Sequence, residues 1–535
     1  METSPSHSRL MPWLAVAVAV IVAAASLGNG FAYDDVPLIV DNAQVTALGG
    51  AWQYAVQPFW PVGGLYRPLT AWFLSLQWQL GGGSAAPFHL VSVLLHALVT
   101  GLVYVLARRV LDARLAILAA LLFAVHPVHV EAVANVVGQS ELLCTAFVLA
   151  SVLVALRGAA DGFTPARRAG VIAFGMMAAV SKEQGFVTPA LVLAACGIVG
   201  APRGREALRR AVPVVAVLAL LLVTLFLLRA SVLGGLAGDE PAAPLRGMSS
   251  ASRMLVALGT VPEWARLLTW PARLSFDYSP PGYTPAAVPG LRHVVALLLV
   301  TALAWAALAS RARMPAITLG VAWSAIALLP VSNIVPTGIL VAERTLYLPS
   351  VGVVIAAAGA AALVWQRLAS PAARGLALAS VALLLLAAGV KSARRALVWK
   401  DNETLFRQVE LEAPRNYRAH RTLALYLDRQ GRIDEAAIEY RQSIALWGHD
   451  PRVYEDLAIL LDRKGHDAEA VGVLQDGLAL EADAPAMRSK LFFLQAAQGD
   501  WTGARITAAA GLALGDTMFA ALVTRADSAL SGPVP

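Results

Sequence analysis

The sequence predicts an all-α protein in two parts, a multi-span membrane domain over residues 1–390 and a solenoid of helical repeats over residues 391–535. Three observations predict this arrangement. Hydrophobic residues make up 58% of the chain and charged residues only 14%, whereas about a quarter of a soluble domain is charged. The apolar excess stops near residue 390. The part that follows repeats with a period of 34 residues.

Eleven apolar runs predict the membrane spans, each of which needs about 20 residues to cross a bilayer. They occupy residues 10–31, 88–107, 115–134, 141–156, 169–181, 186–200, 211–228, 292–310, 314–331, 346–366 and 375–390. Two further stretches, 68–80 and 251–272, are typical of interfacial or re-entrant segments. The first run also has features of a cleaved signal peptide, but its apolar core is longer than usual, which favours a retained helix.

Arginine clusters predict the orientation of the spans. If the chain starts inside, every second loop is cytoplasmic, and such loops carry an excess of Lys and Arg. These loops hold Arg108, Arg109 and Arg114; Arg157, Arg167 and Arg168; Arg203, Arg205, Arg209 and Arg210; Arg311 and Arg313; and Arg367 and Arg374. The pattern puts segments 32–87 and 229–291, and everything after residue 390, on the outer face. One basic cluster breaks the pattern: Lys391, Arg394 and Arg395. Because the net charge of +7 follows the membrane topology, no nucleic-acid partner is predicted.

The 34-residue period predicts tetratricopeptide repeats (TPRs), which are pairs of antiparallel helices. Four positions recur: Gly431, Gly465 and Gly499; Ala436, Ala470 and Ala504; Leu423, Leu457 and Leu491; Leu446, Leu480 and Leu514. Residues 399–414 are predicted to be the second helix of a truncated repeat, and residues 516–530 to cap the array. The third repeat is degraded at Gln495 and Ala508. Such an array either binds peptides and proteins or serves as a structural buttress.

Charged and histidine side chains gather where the predicted spans meet the outer face. They are Asp34, Asp35, Arg67, His89, His126, His129, Glu131, Glu141, Lys182, Glu183, Glu343 and Arg344. An ionised group within the membrane costs about 2.5–3.5 kcal/mol on insertion scales, so their convergence favours a functional site. The adjacent carboxylates of Asp34 and Asp35 indicate chemistry at the membrane surface. The alternative is that both are solvated residues at the end of a helix.

Two classes of site are disfavoured by the motifs. His126, His129 and Glu131 could ligate a cation, but their spacing differs from the His-Glu-x-x-His arrangement of zinc enzymes. Histidines bonded to carbonyl groups are the favoured interpretation, and no metal or cofactor is predicted. The sequence has no Gly-x-Ser-x-Gly turn, which disfavours a hydrolase of that type.

Group transfer from a lipid-linked donor fits these residues better. A donor phosphate at the bilayer surface can be neutralised by Arg67, Lys182 or Arg344. A phosphate leaving group is a weak base and needs charge stabilisation more than an acid. The acceptor hydroxyl does need a general base, and Asp34 or Asp35 is the candidate for that role.

Together the motifs resemble the transmembrane-and-TPR (TMTC-like) O-mannosyltransferases, a branch of the multi-span GT-C glycosyltransferases. The motifs are Tyr33-Asp34-Asp35, Asp41-Asn42, Tyr66 to Thr70, Phe88-His89, His96, Phe123 to Val133, Gly138 to Glu141, Lys182-Glu183, Glu343 to Ser350 and the repeats. The resemblance implies a metal-independent, inverting transfer of a sugar, mannose being the best specific candidate, from a polyprenyl phosphate to a protein Ser or Thr hydroxyl outside the cytoplasm.

The resemblance also implies roles for single residues. One of Asp34 and Asp35 acts as the base, and Arg344 contacts the donor phosphate. Two positions depart from the family pattern, because Gln139 replaces the usual Arg and Thr345 replaces the usual Tyr. The composition suits a bacterium, so the predicted location is the inner membrane, with the site and the TPRs facing the periplasm.

Two other functions stay open. One is a non-catalytic, membrane-anchored TPR scaffold for envelope proteins. The other is a protein that binds polyprenyl phosphates without transferring sugar. They differ from a transferase at Asp34 and Asp35, because a scaffold tolerates replacement of both carboxylates by Asn and a transferase does not.

Overall fold

The computed structural model describes residues 5–47, 51–59, 64–200, 204–235, 242–335 and 338–531. Helices dominate these residues, and no β-strand occurs among them. The predicted all-α class, with a multi-span helical domain and a helical-repeat solenoid, is confirmed. Arg203, used above to predict the orientation, lies outside the described residues.

The chain divides into two compact units. The first comprises Met1–Phe276 and Pro285–Leu405, and the second comprises Asp277–Thr284 and Phe406–Pro535. The short segment Asp277–Thr284 belongs to the second unit although it is distant from it in sequence, and no sequence pattern indicated this. Residue 390, the predicted end of the membrane domain, lies within the last long helix of the first unit, because that helix continues about two turns beyond its apolar part.

Sixteen helices build the described part of the first unit. They are α1 (Pro5–Ala23), α2 (Ala43–Thr46), α3 (Ala51–Val56), α4 (Pro68–Gly81), α5 (Ala86–Ala107), α6 (Ala113–Ala124), α7 (Val130–Ala134), α8 (Gln139–Asp161), α9 (Pro165–Ser181), α10 (Thr188–Val199), α11 (Gly204–Leu233), α12 (Ser250–Thr269), α13 (Leu291–Ser310), α14 (Pro315–Leu328), α15 (Tyr347–Arg367) and α16 (Pro371–Val398). The segments predicted to be interfacial, 68–80 and 251–272, form α4 and α12.

Among the described residues, six helices are long and apolar enough to cross a membrane: α5, α8, α11, α13, α15 and α16. The predicted span 115–134 is broken, because α6 and the segment Pro127–Ala134 meet at a bend of 48°. Pro127 explains the break, since its ring lacks the N–H that a continuous helix needs. The other four predicted spans coincide with the shorter apolar helix Pro12–Ser26 and with α9, α10 and α14. The chain is a multi-pass membrane protein, and the count of eleven spans stays a prediction.

Close packing of α14 against α15 depends on two glycines. A Cβ atom on Gly320 would lie 2.3 Å from the carbonyl oxygen of Gly352, and a Cβ on Gly352 would lie 2.3 Å from that of Gly320. Any side chain at either position would therefore push the helices apart. This contact fixes the start of α15, and Arg344 lies in the 3₁₀ turn that immediately precedes that helix.

The second unit contains the predicted repeats. Its helices are α17 (Asn402–Glu412), α18 (Tyr417–Arg429), α19 (Ile433–Leu446), α20 (Pro451–Arg463), α21 (Asp467–Leu480), α22 (Pro485–Ala497), α23 (Trp501–Ala513) and α24 (Met518–Ser531), the first residues of α17 belonging to the other unit. Helices α18 to α23 form three pairs, with α17 before them and α24 after them, as the period predicted. At the degraded position, buried Gln495 accepts a hydrogen bond from Thr507 at 2.7 Å, so a polar contact replaces an apolar one.

The repeat glycines are needed for their backbone conformation. Gly431, Gly465 and Gly499 each connect the two helices of a pair and have φ angles of 73°, 73° and 79°. This left-handed conformation costs an L-residue about 1–2 kcal/mol. The three alanines at the recurring position are fully buried, so a larger side chain has no space there.

We expect Gly465→Ala to destabilise the protein by about 1–2 kcal/mol, because alanine has to adopt the left-handed conformation there. Gly472 provides the matched control. It lies inside α21 with ordinary helical backbone, and the space that an added methyl group would occupy is open. Gly472→Ala should therefore stabilise by about 0.5–1 kcal/mol. Thermal unfolding of the purified chain in detergent measures both. Equal shifts in the same direction would contradict the assignment of Gly465.

Candidate active site

The acidic pair lies in a tight loop between α1 and α2. Tyr33 has a φ of 54°, which is uncommon for a residue other than glycine. Its backbone N–H donates to Asn402 Oδ1 at 2.5 Å, and its ring contacts Phe276 with 4.8 Å between centroids. A backbone in this region costs about 1–3 kcal/mol and persists where neighbouring contacts enforce it. These contacts fix the loop and with it the direction of Asp34.

Arg344 joins two carboxylates that are distant in sequence. Its Nη2 lies 3.0 Å from Asp34 Oδ2, and its Nη1 lies 2.5 Å from Glu131 Oε1. The backbone N–H of Arg344 also donates to Glu131 Oε2 at 2.9 Å. Glu131 is buried, whereas the side chain of Asp34 is 16% exposed. The cluster thus holds one guanidinium and two carboxylates, of which only Asp34 is accessible.

Asp35 points away from this cluster. Its carboxylate accepts hydrogen bonds from the backbone N–H of Val137 at 2.9 Å and of Ala32 at 3.3 Å, and the residue is fully buried. Burial raises the pKa of Asp35 to about 7, although the backbone N–H groups lower it. Asp35 therefore ties the loop to the turn before α8, while its neighbour Asp34 faces Arg344.

We expect Asp35 to make stability fall as pH rises from about 4 to about 7. Because the pKa of Asp35 is higher in the folded state than its ordinary value of 3.8, the folded protein binds more protons than the unfolded one between these values. The contribution of Asp35 to stability is then fully present below about pH 4 and is lost as the pH rises to about 7. Thermal unfolding at about pH 4.5 and pH 8 should show a smaller pH dependence for Asp35→Asn than for the wild type. The exposed carboxylate Asp161 serves as control, and equal pH dependence in wild type and Asp35→Asn would contradict the assignment.

Four further charged residues form two ion pairs. Arg67 binds Glu183 through both Nη2, at 2.8 Å, and Nε, at 3.1 Å. Lys182 pairs with Glu141 inside the protein. Both pairs lie beside the turn that holds Arg344, because Gln184, which follows Lys182 and Glu183, donates to the carbonyl oxygen of Thr345 at 2.9 Å. The structure therefore gathers most of the charged residues that the sequence singled out.

The histidines have other partners. Each uses Nε2 to contact a carbonyl or hydroxyl group: His89 to Gly30 O at 3.1 Å, His126 to Leu268 O at 3.1 Å and His129 to Ser350 Oγ at 2.8 Å. Since Glu131 binds Arg344 instead, the structure does not gather His126, His129 and Glu131 as ligands of one cation. Glu343 is also turned to a separate partner, because its Oε1 accepts the backbone N–H of Ser275 at 2.6 Å.

The two positions that depart from the family pattern have local partners. Gln139 and Gln77 form a buried reciprocal amide pair, with N–O distances of 3.0 and 2.8 Å. Gln139, which stands where the family pattern has an arginine, is thus paired with an uncharged side chain, Gln77. The Thr345 hydroxyl donates to Ala342 O at 2.7 Å within its own turn.

Several contacts of the site were not anticipated from the sequence. Asn402 holds Tyr33 from 369 positions away, and no local pattern signals such a contact. The contact of Gln77 with Gln139 could not be predicted either, because a single amide in an apolar helix can pair with many different groups. Tyr347 and Ser350, which bind His96 and His129, lie inside the motif that begins at Glu343, so that motif could have indicated them.

An apolar cavity lies beside the site in the same unit. It has a volume of about 540 Å³ and runs between α6, α12, α15 and α16. Apart from His126, Thr269 and Lys391, the side chains that line it are apolar or aromatic. Lys391 donates to Ala272 O at 2.6 Å at one rim. The basic cluster that broke the predicted charge pattern thus contributes a residue to this cavity.

Comparison with known proteins places these observations in a family context. Residues 61–228 match the family model of dolichyl-phosphate-mannose-protein mannosyltransferases. The chain is 29% identical to the protein O-mannosyl-transferase F38B6.6 of Caenorhabditis elegans over 81% of its length and 62% of the relative. It is 30% identical to mouse protein O-mannosyl-transferase TMTC4 over 79% of its length and 64% of the relative. The chain thus spans less than two thirds of the length of these relatives.

Among solved structures, the archaeal oligosaccharyltransferase AglB from Archaeoglobus fulgidus, in complex with an inhibitory peptide and a dolichol-phosphate, is similar at 14% identity and a TM-score of 0.37. That match covers 72% of this chain and 56% of the archaeal chain. The sequence matches confirm the resemblance that the motifs predicted, namely to the transmembrane-and-TPR O-mannosyltransferase family.

Proposed function

We propose that this protein transfers mannose from a polyprenyl-phosphate donor to a Ser or Thr hydroxyl of a protein, with inversion at the sugar. We place the reaction at the periplasmic face of a bacterial inner membrane, following the arginine pattern of the loops. The observation that carries the proposal is the cluster in which Arg344 bridges Asp34 and Glu131. The relatives are named for O-mannosyl transfer, which agrees with it.

In this proposal Asp34 and Arg344 have separate roles. Asp34 is the general base, since it is the more exposed member of the acidic pair and Asp35 is held by backbone N–H groups. The acceptor oxygen attacks C1 of the sugar and its proton passes to Asp34. The bond between C1 and the phosphate oxygen breaks, and the phosphate leaves with the electron pair. The guanidinium of Arg344 stabilises the charge on that phosphate, and the reaction uses no metal cofactor.

The geometry suggests an order of events. Glu131 accepts two hydrogen bonds from Arg344, one from the guanidinium and one from the backbone, whereas Asp34 contacts the guanidinium alone. An arriving phosphate therefore replaces Asp34 more readily than Glu131. That exchange frees the Asp34 carboxylate for the acceptor hydroxyl. Donor binding thus prepares the base, and the donor binds before the acceptor.

The polyprenyl chain of the donor is proposed to lie in the apolar cavity between α6, α12, α15 and α16. Its lining suits a hydrocarbon, and Lys391 at the rim carries charge opposite to a phosphate. His126 lines the cavity, and only a 3₁₀ segment and the first residue of α7 separate it from Glu131 in the chain. The cavity therefore lies near the cluster. Attraction to the donor phosphate would explain why Lys391 lies on the predicted outer side, against the usual charge pattern.

We expect Ala357→Trp to weaken use of the polyprenyl donor at least tenfold, because the indole fills space that the chain occupies. Ala379→Trp on α16 is the matched control, since Ala379 is exposed and does not line the cavity. The measurement is KM for the lipid donor in detergent. An unchanged KM in Ala357→Trp, with the protein still folded, would place the chain elsewhere.

The repeat unit is proposed to bind the protein acceptor, as arrays of this kind do. The test of the whole proposal is transfer of radiolabelled mannose by the purified chain from a polyprenyl-phosphate donor to a protein acceptor. The product is then treated by β-elimination to release sugar from Ser or Thr. Transfer that also persists in the double variant with Asn at Asp34 and Asp35 would refute the catalytic assignment. Donor binding without any transfer would favour a lipid-binding or scaffold protein instead.

A further inference from the structure

Three side chains at the beginning of the second unit converge in a way that the repeat does not require. Glu410 lies on α17, His420 on α18 and Glu439 on α19. One nitrogen or oxygen atom from each lies within 4.8 Å of the other two, and His420 is buried. The equivalent residues one period later have no such chemistry: Ile444, Tyr454 and Val473. The cluster is thus specific to this end of the array.

The contacts of His420 need a positive charge. Its Nδ1 lies 2.7 Å from Glu439 Oε2, and its Nε2 lies 3.2 Å from the carbonyl oxygen of Pro414. Both partners are hydrogen-bond acceptors, whereas a neutral imidazole has only one N–H. If Nε2 donates to Pro414, the lone pair of Nδ1 faces a carboxylate, and a proton or a metal cation has to lie between them.

Glu410 distinguishes these two possibilities. A proton on His420 neutralises one carboxylate and leaves the second, Glu410, facing Glu439. A divalent cation neutralises both. The bond from Nε2–H to a backbone carbonyl is also the usual support of a metal-binding histidine, because it fixes the tautomer and the orientation of the ring.

We propose that Glu410, His420 and Glu439 bind one divalent zinc ion through one carboxylate oxygen each and Nδ1. Histidine nitrogen and carboxylate oxygen are both zinc ligands, and water supplies the fourth position beside three protein ligands. Bonds of about 2.0–2.1 Å would place the ligand atoms about 3.3 Å apart. The site lies in the second unit, and it is independent of the proposed sugar transfer.

A zinc ion here would have a structural consequence. Helix α17 is predicted to be the second helix of a truncated repeat, and the described part of the second unit contains no first helix for that repeat. The ion would fix α17 to the first complete pair, α18 and α19. A short array is near the minimum of about three repeats that bury a shared core, so its first edge gains from such a crosslink.

The experiment uses the full chain without an affinity tag, stripped with EDTA and then given excess ZnCl₂. After gel filtration, mass spectrometry of metals should find one zinc per wild-type chain and none in Glu439→Gln. That variant keeps a hydrogen-bond acceptor for His420, so it should fold. Glu435→Gln, on the same helix but exposed and paired with Arg432, is the control and should retain zinc.

Thermal unfolding supplies a second readout. Zinc should raise the unfolding temperature of the wild type and of Glu435→Gln, but not that of Glu439→Gln. The proposal is overturned if the wild type retains no zinc, or if Glu439→Gln retains as much as the wild type. A protonated His420 paired with Glu439 would then explain the contacts. Neither readout depends on mannosyl transfer, so failure of the function proposed above would leave this test unaffected.

Discussion

Asp34→Asn is expected to lower the rate of mannosyl transfer by about 10²–10⁴-fold, the usual contribution of a positioned general base. The amide of asparagine has the same shape as the carboxylate, but it cannot accept the proton of the acceptor hydroxyl. Asp34 pairs with Arg344 and is proposed to compete with the donor phosphate for it, so the variant should bind the donor as tightly as the wild type or more tightly. The expected signature is therefore a fall in kcat without a rise in the Kd of the donor, measured by single-turnover transfer and by donor binding.

Two comparisons make this result specific. Asp161→Asn removes an exposed carboxylate that also pairs with an arginine, Arg167, and should leave transfer unchanged. Asp35→Asn should alter stability and its pH dependence more than the chemical step, because Asp35 is buried against backbone N–H groups. If Asp35→Asn abolishes transfer in a folded protein while Asp34→Asn does not, the two roles are exchanged.

The sequence was most informative where periodicity or charge operates over short distances. The 34-residue period located Gly431, Gly465 and Gly499, and each has the left-handed backbone that makes glycine necessary there. The helices also coincide with the apolar runs, because a segment buried in lipid or protein has a recognisable local pattern of apolar residues. Hydropathy alone made residues 115–134 one predicted span, because it does not register the loss of one backbone N–H at Pro127, where the span is broken.

The site itself was predicted as a set of residues and not as an arrangement. Glu131 and Arg344 are 213 positions apart, and their pairing with Asp34 depends on how α7 and the turn before α15 pack. From the sequence, Asp34 and Asp35 were equivalent candidates for the base. Only the fold separates an accessible carboxylate that faces a guanidinium from a buried one that supports a loop. For the histidines, the sequence favoured bonds to carbonyl groups over metal ligation, and in the fold their ring nitrogens contact carbonyl and hydroxyl groups.

Arg344→Lys is the second variant with a large expected effect. Lysine keeps the positive charge, so Glu131 is not left as an unpaired buried carboxylate, a loss that would cost about 3–5 kcal/mol in Arg344→Ala. Lysine loses the planar fork that contacts Asp34 and Glu131 at once and that would hold a phosphate through two hydrogen bonds. A hydrogen bond to a charged group contributes about 1.5–3 kcal/mol, so donor affinity should fall about tenfold to a hundredfold.

The effect of Arg344→Lys should differ in kind from that of Asp34→Asn. Arg344 is proposed to contact the phosphate both before and during bond cleavage, so its loss should raise the Kd of the donor and lower kcat together. Arg167→Lys, a substitution at an arginine that pairs with Asp161 on the predicted cytoplasmic side, should change neither. If donor affinity in Arg344→Lys equals that of the wild type, the phosphate binds elsewhere, and Arg67 or Lys182 becomes the residue to test. In the double variant Asp34→Asn with Arg344→Lys, the loss should be smaller than the product of the two single losses, because donor binding to Arg344 is proposed to free Asp34 for its role as base.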